Sequence, residues 1–510
     1  PHLVLARDAM LRPACTRLVS RHLPTLASGA RSMSNGHPNP NITTSKDQMW
    51  YKMHNTWPVQ VPLTTQMPGT PRVDEGVEAA DPKTEITTLS NGVRVISETS
   101  SSIGASMALY FATGSRVETE ATQGSSHFLQ HLAFRASEEK SHFLTTREIE
   151  KIGGHTVAGA SRDCIAYAGE CLASNADRLL ALMAESAMSP RLEDLDIANA
   201  RELVMADVAN QSKNGPGTVL DAMHAVAFSG RGLGAPLLCP APTAQAMTGD
   251  TIAAYLQETM SPSRVIVSAV GVEHAKLVDM ATSAFGSMKP AQLEPPAPAK
   301  YSGGDFYMPG PLDMGEVHIC IGMEGLGCSD KDLLALATIQ TMLGGGDSFS
   351  AGGPGKGLKS RIFVNVLYNQ GVLSSSAVNV SYAETGLFGI SATTTPDHTT
   401  VTVELMIKEL KRLRTGVSQE ELSRAVNMTR ASLFLNLENN GIVCEDLGRQ
   451  LMYYDKRHTG KELSDQLMKI TADDLKRVSE KLLASTPVVA AYGDISCMPT
   501  YSQIVSALQG

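Results

Sequence analysis

Two histidines stand four residues apart in Gly124-Ser125-Ser126-His127-Phe128-Leu129-Gln130-His131-Leu132-Ala133-Phe134. On a helix that spacing puts both rings on one face, where they could share a metal ion. Peptide hydrolysis at such an ion needs a third ligand and a carboxylate to take a proton from the metal-bound water. In the inverted zinc motif H-x-x-E-H that carboxylate stands just before the second histidine; here the position is Gln130. An amide has the carboxylate's shape and can orient water, but it accepts no proton near neutral pH. Losing a general base costs about 10²–10⁴ in rate. A histidine pair at this spacing is more often a surface or capping pair; the surrounding G-x-S-H-F-L-x-H-L-A-F favours a descended metal site.

The second candidate is the run Gly344-Gly345-Gly346-Asp347-Ser348-Phe349-Ser350-Ala351-Gly352-Gly353-Pro354-Gly355-Lys356-Gly357. Half of it is glycine, so its backbone can take positive φ and approach another chain closely. A phosphate loop is excluded, because Gly357 follows Lys356 where Ser or Thr is required and Ser350 stands where the first glycine belongs. A plain solvent loop accounts neither for its length nor for Phe349 near its middle. Such a connection is more often a lid or a binding element.

These residues need a scaffold, and the pattern predicts one in two copies. Asn91-Gly92 between apolar stretches 86–89 and 93–96 predicts a hairpin at the start of folding. In the first half a strand over 165–171 leads to helices over 176–188 and 195–209; the histidines lie on a helix after a strand over 107–112. In the second half a strand over 387–392 leads to a helix over 401–413. The next helix starts at Ser418, with Glu421 placed for a capping box. A helix over 331–343 precedes the glycine run. Glycine-broken strands over 264–272 and 487–495 close the two halves, each followed by a short helix. The fold class expected is α+β, two tandem homologous strand-helix-helix-strand domains over 85–288 and 305–510. A Pro-rich linker over 289–304 separates them, and a Pro-rich arm over 34–84 carrying Trp50, Tyr51 and Trp57 precedes them.

Residues 1–33 hold five arginines and one acid, a net +4, which leaves −13 on the remainder of a chain of net charge −9. That basic, acid-poor opening has the composition of a mitochondrial transit peptide, and Arg31-Ser32-Met33-Ser34 predicts a cut before Ser34. The acidic remainder argues against nucleic acid as a partner and suits cationic peptides. Eight scattered cysteines form no CxxC pair, which indicates free thiols. No stretch has the ~18 apolar residues of a membrane helix, so peripheral attachment is the most that is expected.

The glycine run followed by Leu358-Lys359-Ser360-Arg361 resembles the glycine-rich loop of alpha-type subunits of the mitochondrial processing peptidase family. His127-Phe128-Leu129-Gln130-His131-Leu132-Ala133-Phe134 is similar to the zinc motif of that family's catalytic beta subunits, shared with pitrilysin-type peptidases at large. The resemblance spans residue 85 to the C-terminus. It implies a clam-like, non-catalytic subunit in the mitochondrial matrix or on the matrix face of the inner membrane. Its partner would be a beta subunit that supplies zinc and the base. It also implies that the loop 344–357 helps capture basic presequence peptides, and that Asp207 stands where the family carries its third ligand, a glutamate. His127, His131 and Asp207 are thus vestigial metal candidates, and no cofactor is expected on this chain. In some lineages the same subunits serve as core proteins of respiratory complex III, beside cytochrome bc1 subunits. The competing expectations are a purely structural core subunit and an autonomous zinc endopeptidase. Two departures from the family pattern stand out: both histidines are kept, and Asp347 replaces a small residue.

Overall fold

The computed structural model describes residues 82–211, 213–289, 296–311, 314–348 and 357–509. The segment 1–33, the arm to residue 81, and residues 349–356 of the glycine run lie outside them. The expected hairpin forms: β1 (Thr84–Thr88) pairs antiparallel with β2 (Arg94–Glu98). Gly92 supplies the left-handed turn residue at φ 101°.

The remaining strands of the first sheet are β3 (Gly104–Phe111), β4 (His155–Ala160), β5 (Ile165–Leu172) and β6 (Val265–Val270). The second sheet comprises β7 (Gly304–Pro309), β8 (Val317–Leu326), β9 (Gly345–Asp347), β10 (Val372–Ser381), β11 (Thr385–Thr394) and β12 (Val488–Gly493). Their orders are β1-β2-β6-β3-β5-β4 and β7-β12-β8-β11-β10-β9. The duplication is visible in these orders. The run β2-β6-β3-β5-β4 matches β7-β12-β8-β11-β10, and the pairs β2/β6 and β7/β12 are both parallel in otherwise antiparallel sheets. Each sheet then adds one strand without a counterpart: β1 on one edge of the first, β9 on the opposite edge of the second.

The helices of the first half are α1 (Ser125–Leu132), α2 (His142–Lys151), α3 (Ala176–Met188), α4 (Asp194–Gln211), α5 (Gly215–Ala227), α6 (Ala241–Ala246), α7 (Gly249–Thr259) and α8 (His274–Phe285). The second half carries α9 (Leu333–Leu343), α10 (Thr399–Arg412), α11 (Gln419–Leu437), α12 (Asn440–Tyr454), α13 (Gly460–Leu467), α14 (Ala472–Leu483) and α15 (Tyr501–Gln509). One face of each sheet buries its alternate apolar residues under its own helices, with Leu109, Phe111 and Tyr167 in one core and Ile319, Phe388 and Ile390 in the other. The expected capping box at α11 forms only in half. Ser418 accepts the Glu421 amide, but the Glu421 carboxylate instead takes a bidentate pair from Arg361 at 2.6 and 2.8 Å. A buried guanidinium outcompetes an exposed cap for that carboxylate.

The other face of each sheet is covered by a helix from the opposite half. Val443, Leu447 and Leu451 of α12 pack on Ile96, Tyr110 and Ile266. Val219 and Met223 of α5 pack on Cys320, Leu387 and Ala490. Gly448 permits the first contact, since a Cβ there would lie 2.2 Å from the Tyr110 ring.

A buried histidine seals the second contact. His224 of α5 donates Nδ1–H to the Leu220 carbonyl at 2.7 Å and accepts the Tyr382 hydroxyl on Nε2 at 2.9 Å. Burial, reinforced by nearby Arg162, holds it well below the ordinary histidine value. It is therefore neutral when folded, yet takes a proton in the unfolded chain at acid pH. The stability it contributes is full above its unfolded value of about 6.5 and is lost as pH falls below that. The melting temperature is expected to fall between pH 7 and pH 5, and His224→Gln to flatten that slope in a thermal scan.

Candidate functional site

Helix α1 starts where Gly124 turns left-handed (φ 86°) with no side chain of its own to cap the helix. Glu118 does the capping from outside. Its carboxylate accepts the amides of Gly124 and Ser126, each at 2.8 Å, and the Ser126 hydroxyl. A negative charge there complements the helix N-terminus. Burial raises the Glu118 pKa against the pull of those hydrogen bonds. Cys239 packs so tightly on Gly124 that a Cβ would meet its sulfur at 2.2 Å, and this fixes the segment beside His127.

The structure brings the histidines and Asp207 of α4 together. His131 Nε2 lies 2.9 Å from Asp207 Oδ2, and His127 Nε2 lies 3.4 Å from the same oxygen. One donor atom from each residue falls within 4.8 Å of the other two, the compass of a three-ligand metal site. Hydrogen bonds from His127 and then His131 hold Asp207 well below the usual carboxylate range. Burial keeps His127 below its ordinary value although Asp207 pulls the other way. The resting cluster is thus an ionised carboxylate accepting hydrogen bonds from imidazole N–H groups.

Distances fit a metal; the proton positions do not. The Cys239 amide donates to His127 Nδ1 at 3.2 Å. A neutral imidazole with an accepting Nδ1 must carry its proton on Nε2, the nitrogen that would have to bind the ion. Metal-bound histidines instead donate their second N–H outward. Gln130 is committed as well: its Oε1 accepts the Ala160 amide of edge strand β4 at 3.0 Å. What remains free of that side chain is an NH₂, which donates and cannot take a proton from water. The residues present do not fit a catalytic zinc.

The described part of the glycine run lies on the second sheet, away from these residues. Gly344 (φ 65°) ends α9, and Gly345–Asp347 pair with Ser374–Ser376 as strand β9. Gly345 has φ 145°, and a Cβ there would fall 2.5 Å from the Ser375 carbonyl, so the close pairing depends on glycine. A cavity of about 610 Å³ opens beside β9, between α9, α11 and α13. Ser348 and Gly357 are described; Phe349, Ser350, Ala351, Gly352, Gly353, Pro354, Gly355 and Lys356 are not. Reasoning from residue types missed Glu118, Cys239 and Ala160, two of which act through backbone amides that any residue carries.

Two family models match the chain: insulinase (peptidase family M16) over residues 94–241 and the peptidase M16 inactive domain over 246–429. Among curated proteins it is 34% identical to the mitochondrial-processing peptidase subunit alpha of Solanum tuberosum over 86% of each chain. It is 32% identical to the subunit of that name from Homo sapiens, over 88% of this chain and 89% of that one. Among solved structures it resembles a chain of complex III2 from Candida albicans, bound to Inz-5. The TM-score there is 0.72 at 20% identity, covering 83% of this chain and 99% of that one.

Proposed function

From the premise that the chain belongs to the M16 insulinase family, in its mitochondrial-processing peptidase alpha-subunit branch, we propose that it acts as the non-catalytic member of a heterodimeric presequence peptidase in the mitochondrial matrix. In this reading a beta subunit supplies the zinc and the general base. This chain supplies the surface that captures cationic targeting peptides. Residues 1–33 are its own targeting segment.

Gln130 carries the reading. Its amide oxygen is tied to the Ala160 N–H, so the position that should take a proton offers only donors. The glycine run supports the capture role, because it borders a cavity of about 610 Å³ on the half that lacks the His127–His131 pair. Deleting residues 352–355 and assaying presequence cleavage with a beta subunit present tests it. The expected result is a loss of tenfold or more in kcat/KM, about 1.4 kcal/mol, without loss of heterodimer. Unchanged affinity and turnover would overturn the reading.

A second placement, as a core subunit on the matrix face of complex III, draws support from the fold it shares with a chain of that complex. No helix among the described residues is long and apolar enough to cross a membrane, so attachment would be peripheral. Gentle solubilisation and native electrophoresis test it: co-migration with cytochromes b and c1 supports the placement, and migration with a beta subunit alone removes it.

A further inference from the structure

Helix α1 has eight residues, too few to hold a helix together in water, so outside contacts must fix it. Such contacts reach both its ends and two of its sides. Glu118 caps the N-terminus. Arg135 donates from Nε to the His131 carbonyl at 2.8 Å, a cation at the last turn. Asp207 of α4 holds His131 and His127, and Gln130 holds edge strand β4. We propose that the His127–His131–Asp207 cluster is a metal-independent clamp that, with Gln130, locks α1 between α4 and β4 and closes that edge of the first sheet to an added peptide strand. This goes beyond the presequence-capture reading and does not depend on it.

The proton on His127 carries the first part. Its Nδ1 accepts the Cys239 amide, so its Nε2–H faces Asp207, and the three groups at ligand distances satisfy one another without an ion. Turning the ring to offer Nδ1 to an ion instead would leave the Cys239 amide, in a buried contact, without its acceptor. The duplication supplies an independent comparison. In the first half α1 lies between β3 and β4 in the chain, and α4 comes after β5; their counterparts are α9, between β8 and β10, and α11, after β11. These counterparts meet through Thr429 Oγ1, which donates to Thr341 Oγ1 at 3.0 Å. A pair of hydroxyls closes the same helix pair there, so this packing does not require an ion.

Gln130 carries the second part. Strand β4 stands at the edge of its sheet, and the hairpin to β5 closes with the Ser161 amide on the Cys164 carbonyl. The next pair along is Ala160 with Ile165. By the alternation of antiparallel pairing, Ala160 turns its main chain off the edge, as do Ala158 and Thr156. The Ala160 N–H meets Gln130 Oε1 at 3.0 Å. A strand added along β4 would need that donor, because edge addition draws its affinity from main-chain hydrogen bonds. Freeing it requires α1 to move, and the clamp opposes that movement.

The test begins with thermal scans of the full chain, without a beta subunit so that no partner zinc enters, in added zinc and in chelator. A bound ion would raise the melting temperature as zinc rises; the clamp predicts no difference between the two. Asp207→Asn, which keeps the shape and drops the charge, and His131→Ala are each expected to lower it by about 2–4 °C. Together they should lower it by less than the sum, as members of one cluster do. Hydrogen exchange over residues 155–161 reads the edge. Gln130→Ala is expected to speed it about tenfold at the Ala160 amide, and Asp207→Asn to speed it as well. In the heterodimer, a saturating presequence peptide is expected to leave that exchange unchanged. A melting temperature that rises with zinc overturns the metal-independent clamp, and additive variants overturn its action as a unit. Unchanged exchange in Gln130→Ala, or protection of 155–161 by the peptide, overturns the closed edge and leaves presequence capture standing.

Discussion

Arg116→Ala is expected to destabilise the chain by about 3–5 kcal/mol, the cost of leaving a buried carboxylate without its cation. Arg116 lies in the first half and pairs with Asp163 at 2.9 Å; both side chains are only 8% exposed. The same guanidinium reaches across to Glu384, between β10 and β11 of the second half, which also accepts the Ala299 amide. One side chain therefore fastens the two sheets and the segment between them. Tyr453 donates to Asp163 at 3.2 Å and would remain, a neutral group in place of a charge. Burial already raises the Asp163 pKa against the pull of Arg116. Without that pull the carboxyl stays protonated to higher pH when folded, while the unfolded chain ionises near pH 4. A folded state that holds its proton longer loses stability as pH rises. Urea unfolding should therefore show a larger penalty at pH 8 than at pH 5, and Arg116→Ala combined with Asp163→Asn should recover part of it. Equal penalties at both pH values would mean that Asp163 is not the group left stranded.

Much of this scaffold is legible in the residues because periodicity is a local property. The Asn91-Gly92 hairpin, the helix at Ala176–Met188 and the strand at Ile165–Leu172 emerge where their patterns place them. The histidine pair is legible for the same reason, since i, i+4 spacing fixes a face. Four features are not. Helix α5 opens Gly215-Pro216-Gly217, a string that signals a turn; it is helical because Asn214 caps it and proline is tolerated in a first turn. Nor does an apolar stripe carry an address. Nothing in Val219 and Met223, or in Val443 and Leu447, says that each helix packs on the other half's sheet. Strand β9 is invisible for the opposite reason, since two of its three residues are glycine and have no side chains to alternate. The capping box failed at Glu421 because its competitor, Arg361, lies 60 residues away in the chain.

Changing Gln130 to glutamate is expected to return none of the 10²–10⁴ in rate that a general base typically supplies. A single-residue view predicts otherwise, because the two histidines and an acid are in place. Three contacts oppose it. A carboxylate at position 130 would inherit the Ala160 amide as its hydrogen-bond donor, which lowers its basicity. The Cys239 amide would still donate to His127 Nδ1, which keeps the proton on Nε2 where an ion would sit. Asp207 Oδ2 already fills the space between the two Nε2 atoms and, one methylene shorter than glutamate, has no slack to withdraw while still reaching an ion. Purified Gln130→Glu chain, with zinc and a presequence peptide but no beta subunit, should cleave no faster than the parent. Long-range proton–nitrogen NMR on the parent chain should report His127 as the Nε2–H tautomer, with Nδ1 bare. Chelator-sensitive cleavage by the variant would show that the histidine protons are displaced more easily than these hydrogen bonds imply. A bare Nδ1 with no cleavage would show that the loss of catalysis is held in place by backbone amides as well as by one missing carboxylate.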